Sequence, residues 1–485
     1  MTTKNRLYGR RAGLPAIAFS CAALAVLSAP ASAQEDRGLP QLTPQSIMGD
    51  PLPDLTVSEL DRFVKGKAEF NHILTEAEGL GPIMNDTGCG QCHSQPRVGG
   101  FSSRAVTRFG KAAIGLDPFD PLDSLGGSLL QVTAIDKDCL EEVPPEATVT
   151  AERTTPHVLG AGLVESIPSA DIEDLENNPP HINVAGVTHM VTPLEGGAVR
   201  AGRFGWKAQV ATLLTFSADA GLNEMGLTNR FLGTENAPNG DLALLALCDN
   251  VADPEDGPDG EGFDRIDRMT DFQRFLAPPA QTPRSGMTGE ALFNQVNCNA
   301  CHVASFTTGV APEAALSNKV IQPYSDFLLH DVIGDGIVQG PGTETKIKTA
   351  PLWGVNIRAG TGLFHDGRVS GGSAEQNLHD SIMQHDGEAT FSQAAYANLL
   401  TTEQDEIHRF LMSLGRSEFD LEGNITVDEI DWFLFWLNGY FAGPGAGGYT
   451  ADDDAAIGDI DEDGDMDLVD FAYMQRTFTG VLLAD

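Results

Sequence analysis

The chain has 485 residues, with 69 acidic against 30 basic side chains and a formal net charge of −39. A surface that acidic repels nucleic acid and anionic membranes, which excludes both as partners. The length predicts two or three domains with ample buried core. Beyond the first thirty-odd residues no apolar run reaches membrane-spanning length.

Residues 1–33 read as a cleaved secretory signal: Lys4, Arg6, Arg10 and Arg11, a mostly apolar run through Leu27, then Ala31-Ser32-Ala33. Export places the mature chain in the periplasm or outside the cell, where disulfides persist. Of the seven cysteines, Cys21 leaves with the signal and four fall in the motifs below. Cys139 and Cys248 remain, predicting a disulfide, with two separately buried thiols as the alternative.

A polar, Pro-rich approach leads into a helix predicted from Val57 to about Leu74, and then into Cys89-Gly90-Gln91-Cys92-His93. Two thiols three positions apart suit thioether bonds to the two vinyl groups of one haem, and the next residue, His93, reaches the iron. The rivals for any C-x-x-C are a redox dithiol or half a zinc site. Residues 116–150 are rich in turns and without clear period. The run from Arg153 to Pro168 reads as a buried turn and short helix, and Gly202 to Ala208, with Trp206, as a second dense stretch. A helical segment follows, ending around Asn223-Glu224-Met225-Gly226. Apolar residues at helical spacing from Ile266 to Leu276 give another helix, and Ala277 to Pro283 breaks the chain, which sets a domain boundary near residue 280.

The second unit, 281–416, opens with a short helix from Gly289 to Val296 and a second motif, Cys298-Asn299-Ala300-Cys301-His302; a helix from Thr402 to Leu414 closes it. The repeated spelling predicts two covalently bound c-type haems. The two motifs, the phrases around Trp206 and Glu224, and the run from Ser325 to Ala389 together resemble the dihaem oxidoreductase family, a relative of bacterial dihaem cytochrome c peroxidases. The resemblance spans roughly residues 60–416. It implies a mainly α fold of two cytochrome c-like domains with long irregular loops, 34–280 and 281–416, each holding a haem.

Function then turns on the side of each iron opposite its proximal histidine. By the resemblance, His385 takes the place of the second distal ligand, with Met383 and His365 as rivals. Bis-histidine ligation would suit that haem to relaying electrons. No histidine stands in Phe101 to Phe109, where the peroxidases place the first distal one, so the first iron is expected to be open unless His157 folds onto it. Glu224 resembles the acid-base glutamate of the peroxidases; the plainer alternative is a solvated helix face. The glutamine that the family places some ten residues before it is replaced by Leu214 to Phe216. Trp206 resembles the aromatic residue carrying electrons between the haems, or is a core tryptophan. His330, His365, Arg368 and Glu388 are expected to hold propionates, loops or ligands.

From Ser417 onward there are seventeen acidic side chains and one basic one, Arg476. Asp459, Asp461, Asp463, Asp465, Asp467 and Asp470 have the spacing of a twelve-residue calcium loop, with Gly464 at the sharp turn. A half-match runs from Glu418 to Glu429. Each precedes an apolar helix, so 417–485 resembles a small α-helical dockerin-like or EF-hand module binding Ca2+, with docking to a partner as its natural task. The expected whole is an exported peroxidase-like dihaem enzyme fed by a small redox protein. The alternatives are a dihaem electron carrier without catalysis, or a dihaem oxidase acting on a protein or organic substrate.

Overall fold

The computed structural model describes residues 47–115, 117–280, 287–417, 419–420, 427–437 and 468–478. The signal segment and the calcium positions Asp459 to Asp467 lie outside these residues. Among the described residues no helix is long and apolar enough to cross a membrane.

Two helix crossings organise the haem-motif halves. Helix α1 (Val57–Phe70) starts at a reciprocal cap, the Glu59 amide donating to Thr56 Oγ1 (3.2 Å) and the Thr56 amide to Glu59 Oε2 (2.7 Å). It stops short of the expected Leu74 because Asn71 takes the C-cap and its side chain donates to the Lys67 carbonyl at 3.1 Å. A one-turn helix, α2 (Cys89–Cys92), carries the first motif. Strands β1 (Ala105–Gly110) and β2 (Val149–Thr154) pair antiparallel, Ala105 opposite Thr154. β2 occupies the start of the stretch expected as a buried turn. Its inward Arg153 is buried only because Asp335, far along the chain, pairs with it at 2.7 Å, which hides the alternation. The short helix α3 (Ala161–Glu165) follows, then α4 (Leu213–Met225), ended by Gly226 at φ 72°, and α5 (Arg265–Phe275).

In the second half, α6 (Thr288–Gln295) leads into the second motif, β3 (Leu329–Asp331) pairs antiparallel with β4 (Lys346–Lys348), and α7 (Val355–Ala359), α8 (Ala374–Met383) and α9 (Thr401–Ser413) close the unit. The acidic tail adds α10 (Glu429–Leu437) and α11 (Leu468–Thr477); Asp470 is buried in the first turn of α11.

Each half closes on a glycine. α1 crosses α5 at Gly66, where a Cβ would lie 2.5 Å from the Arg268 carbonyl oxygen, and Phe63 and Phe70 pack on Phe272 at 5.5 and 4.6 Å. α6 crosses α9 at Gly289, where a Cβ would lie 2.0 Å from the Glu406 carbonyl oxygen, and Phe293 packs on Phe410 at 5.4 Å. Only a residue without a side chain admits such an approach. A third core joins the halves: Leu163, Val164 and Ile167 from the first pack with Phe306, Phe327 and Trp353 from the second. Cys139 and Cys248 form the expected disulfide, Cα to Cα 6.3 Å across 109 residues of sequence. On the chain-entropy account, closing a loop that long stabilises the fold by roughly 4–5 kcal/mol.

Candidate functional site

The second motif turns off the end of α6, and His302 then points its ring inward with Nδ1 donating to the Tyr324 carbonyl at 3.0 Å. His385, in the turn just after α8, holds its own ring the same way, Nδ1 donating to the Ser381 carbonyl at 2.8 Å. Both line one cavity of about 300 Å³ together with Cys298 and Cys301. A carbonyl on Nδ1 fixes the tautomer and leaves Nε2 for iron. Burial pushes His302 down to about 4 and lowers His385 as well, so both rings are neutral, the form that ligates. Met383 is 38 % exposed, with its sulfur 3.9 Å from Gln393 Nε2. His365 is buried with its ring 6.2 Å from that of Trp206. Both nitrogens of His330 are occupied, by Asp326 at 2.8 Å and Glu388 at 3.0 Å. Glu388 therefore serves His330, while His385 is held by backbone. Arg368 pairs with Asp366 at 2.6 Å.

Around the first motif the proximal side repeats and the rest differs. His93 donates from Nδ1 to the Gly100 carbonyl at 3.3 Å, and burial pushes it down to about 4. Glu224 stands half-buried on the last turn of α4. Its backbone carbonyl accepts from the Asn85 and Asp86 amides (2.8 and 3.2 Å), its Oε2 accepts from Asn85 Nδ2 (2.8 Å), and Asp86 in turn reaches the Cys92 sulfur at 3.8 Å. The carboxylate is thus tied to the segment that leads into the motif. Burial raises the Glu224 carboxyl above its ordinary range, against the pull of Asn85 and Arg108. A carboxyl so poised is a candidate proton carrier. His157 is half-buried, edge-on to Phe101 at 4.7 Å, with Nδ1 sealed from water and unpartnered; desolvation and then the charge of Arg358 push it down to about 3. It belongs to the loop whose Pro156 carbonyl packs against the His93 ring.

In the wall of the cavity beside the second motif, Trp206 donates from Nε1 to the Thr154 carbonyl at 3.0 Å and carries the Arg358 guanidinium 5.1 Å over its ring. Three lining residues escaped the sequence reading. Arg358 bonds the Gly362 and Phe364 carbonyls and Thr154 Oγ1, and forms no ion pair with a described carboxylate; burial pushes it down to about 10. Lys348, 8 % exposed, donates to the Thr349 carbonyl at 3.3 Å and stands 5.7 Å over the Phe327 ring, without an ion pair among the described residues; burial pushes it down to about 8. Gln273 on α5 is buried, its Nε2 given to Ser217 Oγ at 2.9 Å and its Oε1 unpartnered. Its signal was present: it interrupts the apolar stripe Ile266, Met269, Leu276 with an amide. An arginine amid Val355 to Ala359 was a similar, weaker sign.

These residues fit a haem better than the rival chemistries. Neither cation, the buried Lys348 nor the half-buried Arg358, forms an ion pair with a described carboxylate, and a haem brings two propionates to such a cavity. Burial pushes Cys89 and Cys298 up to about 12 and Cys92 to about 11, the reverse of a redox dithiol, whose reactive thiol is depressed. Among the described residues no cluster of metal-ligating side chains gathers both thiols of either motif, as zinc would need. The family model described as "di-haem oxidoreductase, putative peroxidase" matches residues 141–414, more than half of the chain.

The chain belongs to this family. It is accordingly a dihaem redox protein, and haem is its cofactor. The matched residues of this dihaem oxidoreductase include the second motif, Trp206, Glu224, Lys348, Arg358 and His385; the first motif lies before them. No curated protein matches the chain.

Proposed function

We propose that this dihaem oxidoreductase is exported, binds a c-type haem covalently at each motif, and reduces hydrogen peroxide at the His93 haem with electrons delivered through the His302 haem. The reading rests on one contrast: His302 shares its cavity with a second carbonyl-anchored histidine, His385, whereas His93 has the raised carboxyl of Glu224 beside its motif.

Cys89, Cys92 and His93 would hold the first haem, and Cys298, Cys301, His302 and His385 the second. Bound there, haem supplies the iron at which the peroxide oxygen–oxygen bond is reduced by two electrons. Glu224 uses Oε2 to accept from Asn85, which leaves Oε1 to take a proton from the incoming peroxide and return it to the departing oxygen. Trp206 sets an aromatic ring between the halves, its orientation held by Thr154. Lys348 and Arg358 neutralise propionates. A small redox protein is the electron donor. The tail, by its Asp459 to Asp470 spacing, is a calcium-binding docking module.

Purified holoprotein, reduced and mixed with hydrogen peroxide, should oxidise a small reduced c-type cytochrome catalytically; peroxide left unconsumed would contradict the assignment. One observation favours a second reading. The unpartnered Nδ1 of half-buried His157 marks a histidine with coordinating capacity to spare, and were it to reach the first iron the chain would carry electrons without catalysis.

A further inference from the structure

Away from the haem cavity, just past the helix that carries Glu224, three carboxylates converge. One ligand oxygen from each of Glu235, Asp253 and Glu255 lies within 4.8 Å of the others. Glu235 is only 6 % exposed, and both of its carboxylate oxygens are buried without a hydrogen-bond donor. A carboxylate sealed from water with neither donor nor cation is among the most costly arrangements a folded chain can hold.

The other two are held open by one residue. Thr228, fully buried, donates its amide to Glu255 Oε2 at 2.8 Å; its hydroxyl lies 2.5 Å from the same oxygen and 2.8 Å from Asp253 Oδ1. These contacts engage Oε2 of Glu255 and Oδ1 of Asp253. The charges acting most strongly on Glu235 are all negative: Glu255, Asp253 and, more weakly, Asp249. Asp253 is exposed, so the cluster opens to solvent on that side.

We infer that Glu235, Asp253 and Glu255 form a binding site for one calcium ion, separate from the haem motifs and from the acidic tail. Calcium takes oxygen ligands at about 2.3–2.6 Å, so oxygens across the ion stand up to roughly 5 Å apart, and the cluster spans that distance. An all-carboxylate set excludes the softer metals that prefer sulfur or imidazole. A site open to solvent at Asp253, where water would complete the shell, suits calcium better than magnesium, which demands tight octahedral geometry. The ion would fasten residues 228–255 to the chain immediately after α4.

The rival is a proton shared between Glu235 and Glu255 in place of a metal. Calcium content of the full-length holoprotein, after dialysis against calcium and then metal-free buffer, separates the two. Glu235→Gln should lose one equivalent per chain, and calcium should raise its melting temperature less than the parent's. Asp463→Asn, in the tail, should lose a different equivalent, and the double variant should lose both. A Glu235→Gln protein with the parent's calcium content would overturn the inference, the more so if it melted higher than the parent in chelator. Should Glu235→Gln fail to fold, Asp253→Asn on the exposed rim must show the same single loss, and unchanged content there would overturn the inference equally.

Discussion

The two attachment motifs share a spelling and a proximal arrangement, yet their surroundings diverge. His93 and His302 each give Nδ1 to a carbonyl, at 3.3 and 3.0 Å, and each follows a helix that crosses the last helix of its half at a glycine. The cavity beside the second motif then offers His385, anchored like a ligand, and His157 and Gln273 line that same cavity; the first motif has Glu224 beside it. The motif specifies attachment, which is local covalent geometry. Residues far along the chain specify what the iron does.

That contrast is most sharply tested at Glu224. Glu224→Gln should lower peroxide turnover by about 10²–10⁴-fold while leaving the spectrum of the His302 haem unchanged; steady-state rates with a saturating donor check this, and a parent-like rate removes Glu224 from proton transfer. His385→Ala should convert the second iron from low to high spin, read by absorption and magnetic circular dichroism. A spectrum that stays low-spin would hand the ligand role to another residue.

The shared helix crossing gives a smaller, paired effect. Gly66→Ala and Gly289→Ala should each cost about 1–3 kcal/mol by overpacking, measured by denaturant unfolding. Loss at one crossing and not the other would show that the halves are not equivalent. Last comes a pH effect confined to the second half. Burial works most strongly against charge on His330, but Asp326, Cys301 and Glu388 together outweigh it and push the imidazole up to about 12. Below about 6.5 the ring is protonated folded or unfolded, and the pair contributes in full. As pH rises, the unfolded chain sheds that proton and the folded one keeps it, so stability declines by at most about 1.4 kcal/mol per unit towards 12. His330→Gln should flatten this slope between pH 6.5 and 10 in denaturant titrations.

How much could be read in advance follows the same division. Helices α1, α5, α6 and α9 were visible because each carries an apolar stripe or a cap, and the motifs because their geometry is contained in five residues. The disulfide followed from counting. β2 was not visible, since its inward Arg153 finds its carboxylate in residue 335. Arg358 and Lys348 look like ordinary surface charges until the fold draws them into the cavity wall without an ion pair to a described carboxylate. The cluster at Glu235 was missed for the opposite reason: acidic residues are so common in this chain that three more carried no signal. The glutamine expected before Glu224 is absent there, and Gln273 brings an amide to the cavity from α5 instead.

The central claim is that one iron is open and the other closed by two histidines. Electron paramagnetic resonance of the oxidised full-length holoprotein tests it most directly. One high-spin and one low-spin ferric signal of equal weight are predicted, and two low-spin signals would contradict the claim.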